Sequence, residues 1–199
     1  MVATEELVQQ QDALRSAADA VGADLRLDEL LSGVDRPVRV GSYALGLMVR
    51  RDLDVTVVCP RLGPRTLDVV AGIGAQLARH RRVRQVRFRD DTGEWNTDPG
   101  YPDGLYLGVD CRSVQGQDWN LDIWFVDDPD RQPDLAHLKA LPPRLTPETR
   151  AAILGIKQAW AGRAEYGRSV KSFDIYRSVL DDHVRTLEQF DEWRARTES

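Results

Sequence analysis

The chain has 199 residues, 42% of them hydrophobic, and a formal net charge of -5. That suffices for one compact core or for a domain with a smaller appendage, and the acidic balance argues against a wholesale electrostatic grip on nucleic acid, leaving only a local basic patch for that role. No apolar run reaches 18 residues and the N-terminus is polar and acidic, so neither a membrane span nor a signal peptide is expected, and the chain reads as a soluble, cytoplasmic protein.

In chain order, residues 4–20 are predicted helical, with Leu7, Leu14 and Ala18 in the apolar stripe. A short second helix over 27–31 stops at Ser32-Gly33. Residues 36–40 form a first strand that runs into a Gly41-Ser42 turn and a short helix. A second strand covers 51–59 and is closed by Pro60. After the Gly63-Pro64 turn, a helix over 67–80 carries Leu67, Val70, Ile73, Ala75 and Leu77, and residues 83–89 alternate like a strand. Residues 90–104, rich in Asp, Thr, Gly, Asn and Pro, read as a long exposed loop.

Strands over 105–114 and 119–126, joined by Gln115-Gly116-Gln117-Asp118, read as a hairpin. Residues 127–144 hold prolines and aspartates and read as a linker. Thr146-Pro147-Glu148 supplies a cap, a proline and an acid for a helix continuing over 151–164. Phe173, Tyr176, Val179 and Leu180 make another apolar stripe. Thr186-Leu187-Glu188-Gln189 fits a capping box for a last helix carrying Phe190 and Trp193. The two cysteines, Cys59 and Cys111, lie in apolar strand-like runs and read as small buried residues.

The most informative segment is the one from Val40 to Val58. Side chains two apart on a strand share a face, so Asp52 and Asp54 project together while Leu53, Val55 and Val57 point into the core. Adjacent carboxylates repel, and a divalent cation offsets that repulsion; hard oxygen ligands suit Mg²⁺. The glycine of Gly41-Ser42 permits close backbone approach to a ligand, and free N–H groups at a helix start suit phosphate. A phosphate-holding turn beside metal-holding carboxylates points to a nucleoside triphosphate bound as its Mg²⁺ complex. Asp122 shares a face with Asn120 and Trp124 in the middle of an apolar run, where a charge is costly unless paired or metal-bound. Its structural reading is a pair with an arginine such as Arg112; Asp110 on the neighbouring strand is the rival third carboxylate.

Other charged groups are less specific. Arg79, His80, Arg81, Arg82, Arg84, Arg87 and Arg89 form a dense basic run, either a solvated face or a groove for an anionic acceptor. Arg168, Ser169, Lys171 and Ser172 lie at a helix start, where they cap it or contact a triphosphate. Arg50 and Arg51 balance the nearby carboxylates or reach phosphate. His80, His137 and His183 share no ligand spacing that would give a zinc site. Trp95 and Tyr101 either pin the long loop or stack on an acceptor or base.

Gly41-Ser42, the nine residues that follow, Asp52-Leu53-Asp54 and the later strand residue Asp122 together resemble the polymerase-beta-type nucleotidyltransferase superfamily. The match covers residues 36–126. The stretch from Tyr166 to Trp193 is similar, more loosely, to the helical segment of small bacterial members. The resemblance implies an α/β (α+β) fold, with a short mixed sheet flanked by helices in a nucleotidyltransferase domain over 1–135 and a C-terminal helical domain over 136–199.

It also implies that Asp52, Asp54 and Asp122 are catalytic and hold two Mg²⁺ ions. Gly41, Ser42, Arg51, Arg168, Ser169, Lys171 and Ser172 would contact the nucleotide. The implied reaction moves a nucleoside monophosphate from an NTP to a hydroxyl of a small molecule, such as an antibiotic, or of a protein side chain, releasing pyrophosphate. Three alternatives stay open. One is a non-catalytic, antitoxin-like or nucleotide-sensing member; another is a template-independent RNA-modifying enzyme that uses the 79–89 run; in the third, Asp52 and Asp54 are structural and the turn match is accidental. Acceptor sites built across a homodimer interface also fall within the resemblance.

Overall fold

Hydrophobic alternation and its breaks generate two compact units in the computed structural model, which describes residues 2–197. One unit comprises Arg15–Leu45 and Arg51–Lys139; the other comprises the chain up to Leu14, Gly46–Arg50 and the chain from Ala140 on. The start of the chain and Gly46–Arg50 thus group with the C-terminal helices.

The first unit is built on five strands: β1 (Pro37–Arg39), β2 (Asp52–Val58), β3 (Val83–Asp91), β4 (Gly104–Arg112) and β5 (Asp118–Val126), in the order β1-β2-β5-β4-β3. β2 and β5 run parallel; every other pair is antiparallel. On one face Leu53, Val55, Val57, Leu105, Leu107, Val109, Leu121, Ile123 and Phe125 are buried. The helix α4 (Pro64–Ala78) covers that face through Val70, Ile73 and Leu77. Gly74 lets the helix approach, since a Cβ there would stand 3.2 Å from Leu107 Cδ2. Leu67 and Ala75, expected in the same stripe, are exposed instead.

The helix α1 (Val2–Asp24) outruns its expected end because Val21 continues the buried stripe and Gly22 leaves room for Arg39, whose Nη2 is 3.3 Å from where a Cβ would sit. Two short helices, α2 (Leu27–Leu31) and α3 (Gly41–Leu45), fall where expected. The 113–117 segment, rather than 115–118, makes the hairpin turn: Ser113 N–H donates to Gln117 O at 2.8 Å and Gly116 takes a φ of 80°. The expected linker over 127–144 instead contains α5 (Pro133–Ala140) and a 3-10 turn, Pro142–Arg144. Both open on proline, which lacks only an N–H that a first helical turn leaves unused. Cys59 and Cys111 are buried free thiols, each pushed up to about 11 by that burial.

The second unit contains α6 (Pro147–Trp160), α7 (Ser172–Leu180) and α8 (Leu187–Thr197). Thr146 caps α6, its hydroxyl accepting the Thr149 N–H at 3.3 Å. Thr186 and Gln189 form the reciprocal box that starts α8. Ile153, Ile156, Ile175, Val179 and Phe190 are buried to 1% exposure or less, whereas Phe173, expected among them, is 43% exposed. Buried polar contacts tie Gly46–Arg50 to these helices. Lys157 Nζ donates to Leu47 O at 2.7 Å and to Tyr176 Oη at 3.0 Å. Arg150 donates to Gly46 O at 2.7 Å, and Arg50 donates to Ala161 O and Tyr166 O while lying over the Tyr166 ring. Among the described residues no helix is long and apolar enough to cross a membrane.

Candidate active site

The sheet face opposite α4 carries the polar residues. Because the alternation of β2 buries Leu53 and Val55, Asp52 and Asp54 stand half-buried on this second face. The parallel register then sets Asp54 directly opposite Asp122 and Asp52 opposite Asn120. Strands paired this way lie about 4.8 Å apart, so Asp54 and Asp122 are lateral neighbours although distant in sequence. Asp110 pairs instead with Asn120 and faces Arg87 at 3.9 Å.

Gly41 presses on the same carboxylate from the side. It takes a left-handed φ of 60°, and a Cβ on it would stand 2.2 Å from Asp54 Oδ2. Only glycine fits that contact without strain. Ser42, the next residue, is buried at the start of α3.

Asp122 has a partner that the sequence did not disclose. Tyr106, on β4, donates its hydroxyl hydrogen to Asp122 Oδ1. Gly108, directly across from Asp122, makes this contact feasible, since a Cβ there would fall 2.5 Å from Tyr106 Oη. Burial, and then the bond to Asp122, push the tyrosine hydroxyl well above its ordinary value, so it stays protonated and stays a donor. The pairing of Asp122 with Arg112 does not occur. Arg112 Nε instead donates to Asp118 at 2.8 Å. Asp118 is held below the usual carboxylate range by Arg112 first, with Arg84 and Arg51 adding to the effect.

Tyr106 also packs on Trp124, ring centres 5.0 Å apart, and the Arg89 guanidinium lies 4.8 Å over Tyr106 and 5.4 Å over Trp124. Once the hairpin register is known, these residues follow from the alternation that carries Asp122: Tyr106 pairs with Trp124 and Arg89 pairs with Tyr106.

Among the described residues, no three His, Cys, Asp or Glu side chains close on one point as a complete metal cage. The chemistry of the donors still fits Mg²⁺, which keeps several waters and is held through one or two carboxylates together with substrate phosphates. Asp52 and Asp54, side by side on one strand, present such a pair.

The remaining candidates belong to the helical unit. Lys171 N–H donates to Asp174 Oδ2 at 2.7 Å, and the Ser172 hydroxyl bonds Tyr166 Oη at 2.8 Å. Arg168 N–H donates to Glu165 O at 3.0 Å, and Gly167 beside it takes a φ of 87°. The Arg168 and Ser169 side chains are exposed. This segment is therefore an ordered loop that caps α7 and offers a hydroxyl and two cations to solvent.

No family model and no curated protein sequence matches the chain. Solved structures do. A Cid1 poly(U) polymerase variant bound to MgATP aligns at TM-score 0.57 and 16% identity, over 89% of this chain and 54% of that one. A second Cid1 structure, described as an RNA terminal uridylyl transferase, aligns at 0.55 and 16% over 88% and 52%. CdnC from E. coli MS115-1 with ATP aligns at 0.50 and 18% over 92% and 67%. The chain thus spans about half the length of the uridylyl transferases it matches.

Proposed function

We propose that this chain, whose fold is that of the polymerase-beta-type nucleotidyltransferases, transfers a nucleoside monophosphate from an NTP to a hydroxyl-bearing acceptor and releases pyrophosphate. The observation that carries this reading is the register of Asp54 against Asp122, with the Gly41 backbone packed on the Asp54 carboxylate. In this reading Asp52 and Asp54 hold Mg²⁺, two ions in all, and Asp122 completes the site. Bound Mg²⁺ lowers the pKa of the attacking hydroxyl and neutralises the triphosphate.

The chain's own groups do the rest. Gly41 and Ser42 offer backbone N–H groups to the outer phosphates, and Arg51 adds charge beside them. Tyr106 fixes the Asp122 carboxylate so that its second oxygen keeps one orientation. In this reading an aspartate near the metal, Asp122 for instance, also takes the acceptor's proton. Arg168, Ser169, Lys171 and Ser172 are, in the same reading, further nucleotide contacts.

The acceptor is a small molecule or a protein side chain. A nucleic-acid end is the second reading, supported by likeness to RNA uridylyl transferases. A cavity of about 640 Å³ lined by Arg81, Arg82, Arg84 and Arg112 also favours it. Arg82 and Arg112 are already paired, with Asp24 and Asp118.

Calorimetric titration of each NTP, with and without Mg²⁺, tests the first reading on the parent and on Asp52→Asn/Asp54→Asn. Magnesium-dependent binding that the double substitution abolishes is expected. No NTP binding to a folded parent overturns the enzyme reading. A steep salt dependence of RNA binding would bring the second reading forward.

A further inference from the structure

The loop between β3 and β4 holds a large aromatic side chain that stability does not require. Trp95 is 74% exposed. A loose loop would explain such a side chain, but this one is tied at several points. Asp103 accepts the Gly93 N–H at 3.1 Å and an Asn96 Nδ2 hydrogen at 3.0 Å. Arg131 donates to the carbonyls of Pro99 and Tyr101, each at 3.1 Å. The 3-10 turn Gly93–Trp95 is thereby fixed at its base while its indole remains in solvent. A rigid, amphipathic side chain that gains nothing from folding is the kind that binding sites use, because little entropy is lost when it is covered.

Trp95 borders a cavity of about 440 Å³, whose other walls include Tyr101, Trp124, Arg89, Asp91 and Asp98. That volume falls in the range of small-ligand sites. Its chemistry is specific. Trp95, Tyr101 and Trp124 offer aromatic surface, and the Arg89 guanidinium is anchored by Asp91 at 2.7 Å over Tyr106 and Trp124. Such a held guanidinium is a flat cationic plate on which a π-system stacks. Asp91 and Asp98 keep lone pairs for ring amino groups. With two carboxylates against one guanidinium among these walls, the cavity suits an uncharged ring better than a phosphate.

Its position matters as much as its lining. Trp124 lies two residues beyond Asp122 on β5, about 7 Å along the strand. That is the scale separating a nucleoside's base from its sugar hydroxyls. Tyr106 joins the two places, bonded to Asp122 and packed on Trp124.

We infer that this cavity is the acceptor subsite and that it takes a planar heteroaromatic ring bearing amino and carbonyl groups, stacked on Trp95 and Arg89, so that a hydroxyl two bonded groups away reaches Asp122. The inference rests on the transferase reading for its use of the word acceptor; the binding itself does not. The ring belongs to a free nucleoside-like molecule or to the terminal base of a single-stranded RNA, and the two sources share this chemistry.

The test is binding in the presence of EDTA, so that the magnesium-dependent nucleotide site stays unloaded. Adenosine, cytidine, guanosine and uridine are titrated into the full chain, and separately a six-nucleotide single-stranded RNA, with quenching of tryptophan fluorescence and calorimetry as readouts. Binding of at least one probe is expected, weakened on the order of tenfold by Trp95→Ala and largely kept by Trp95→Phe. Because Trp95 is exposed, both variants should melt with the parent. Asp52→Asn/Asp54→Asn should keep the binding, which separates this inference from the fate of the magnesium site. Saturable nucleoside binding assigns the free molecule; binding of the RNA alone assigns the strand end. Failure of every probe to bind, or equal affinity in parent and Trp95→Ala, overturns the inference.

Discussion

A single backbone atom position decides much of the site's geometry. Gly41 sits where a methyl group would collide with Asp54, in a backbone region that costs other residues about 1–2 kcal/mol. Gly41→Ala should therefore lower stability by roughly that amount. It should also displace the Asp54 carboxylate and weaken magnesium-dependent NTP binding more than tenfold, checked by melting and by calorimetry on the same sample. Tyr106 acts through a bond rather than through shape. Its hydroxyl occupies Asp122 Oδ1 and orients the second oxygen, so Tyr106→Phe should weaken Mg²⁺ binding severalfold, at a cost near 1 kcal/mol in stability. A magnesium titration followed by calorimetry reads the first effect, a denaturant melt the second. At this scale the sequence was informative where spacing alone sets orientation. The shared face of Asp52 and Asp54 follows from a two-residue period, whereas the packing of Gly41 on Asp54 does not follow from spacing. Tyr106 was hidden because its bond to Asp122 depends on which residue of β4 stands across from which residue of β5.

That dependence is a property of elements. The hairpin turns at Ser113–Gln117, and Arg112 pairs with Asp118, so every later pair is counted from there. Placing the turn two residues later, as composition suggests, changes the register and with it the partner of every side chain. Apolar alternation nonetheless located all five strands, while the prolines of residues 127–144 disguised α5 as a linker. The β3–β4 loop carries its own electrostatic lock. Asp103 is held below its usual range, first by the Asn96 amide, then by the Gly93 N–H. A depressed carboxylate favours the folded loop fully above its unfolded value near 4 and loses that effect as pH falls through the lower folded value. The fluorescence difference between the parent and Trp95→Phe should thus stay constant from neutral pH down to about 4.5 and change only in more acidic solution. Asp103→Asn should show the loosened signal already at neutral pH.

On the scale of the molecule, contacts between segments distant in sequence were not legible. Alternation and capping mark where elements start, but nothing in the composition of Gly46–Arg50 announces that its carbonyls receive Lys157 and Arg150. Those partners lie more than 100 residues away. The helical unit's apolar centre is Phe190, fully buried with its ring 5.8 Å from both Trp160 and Trp193. Phe190→Ala should cost about 3–5 kcal/mol, seen as an earlier thermal transition by circular dichroism. The sheet's two ends meet a different demand. One ends in β1, three residues long; the other ends in β3, which exposes Arg84, Arg87 and Arg89 along its length. An outermost strand with unpaired amides invites another chain to add to it, and cationic side chains are among the means by which that is prevented. Replacing the three arginines by threonine should make the protein self-associate through intermolecular strand pairing, visible as rising light scattering at unchanged melting temperature. The arginines then guard the molecule's solubility whether or not an acceptor ever touches them.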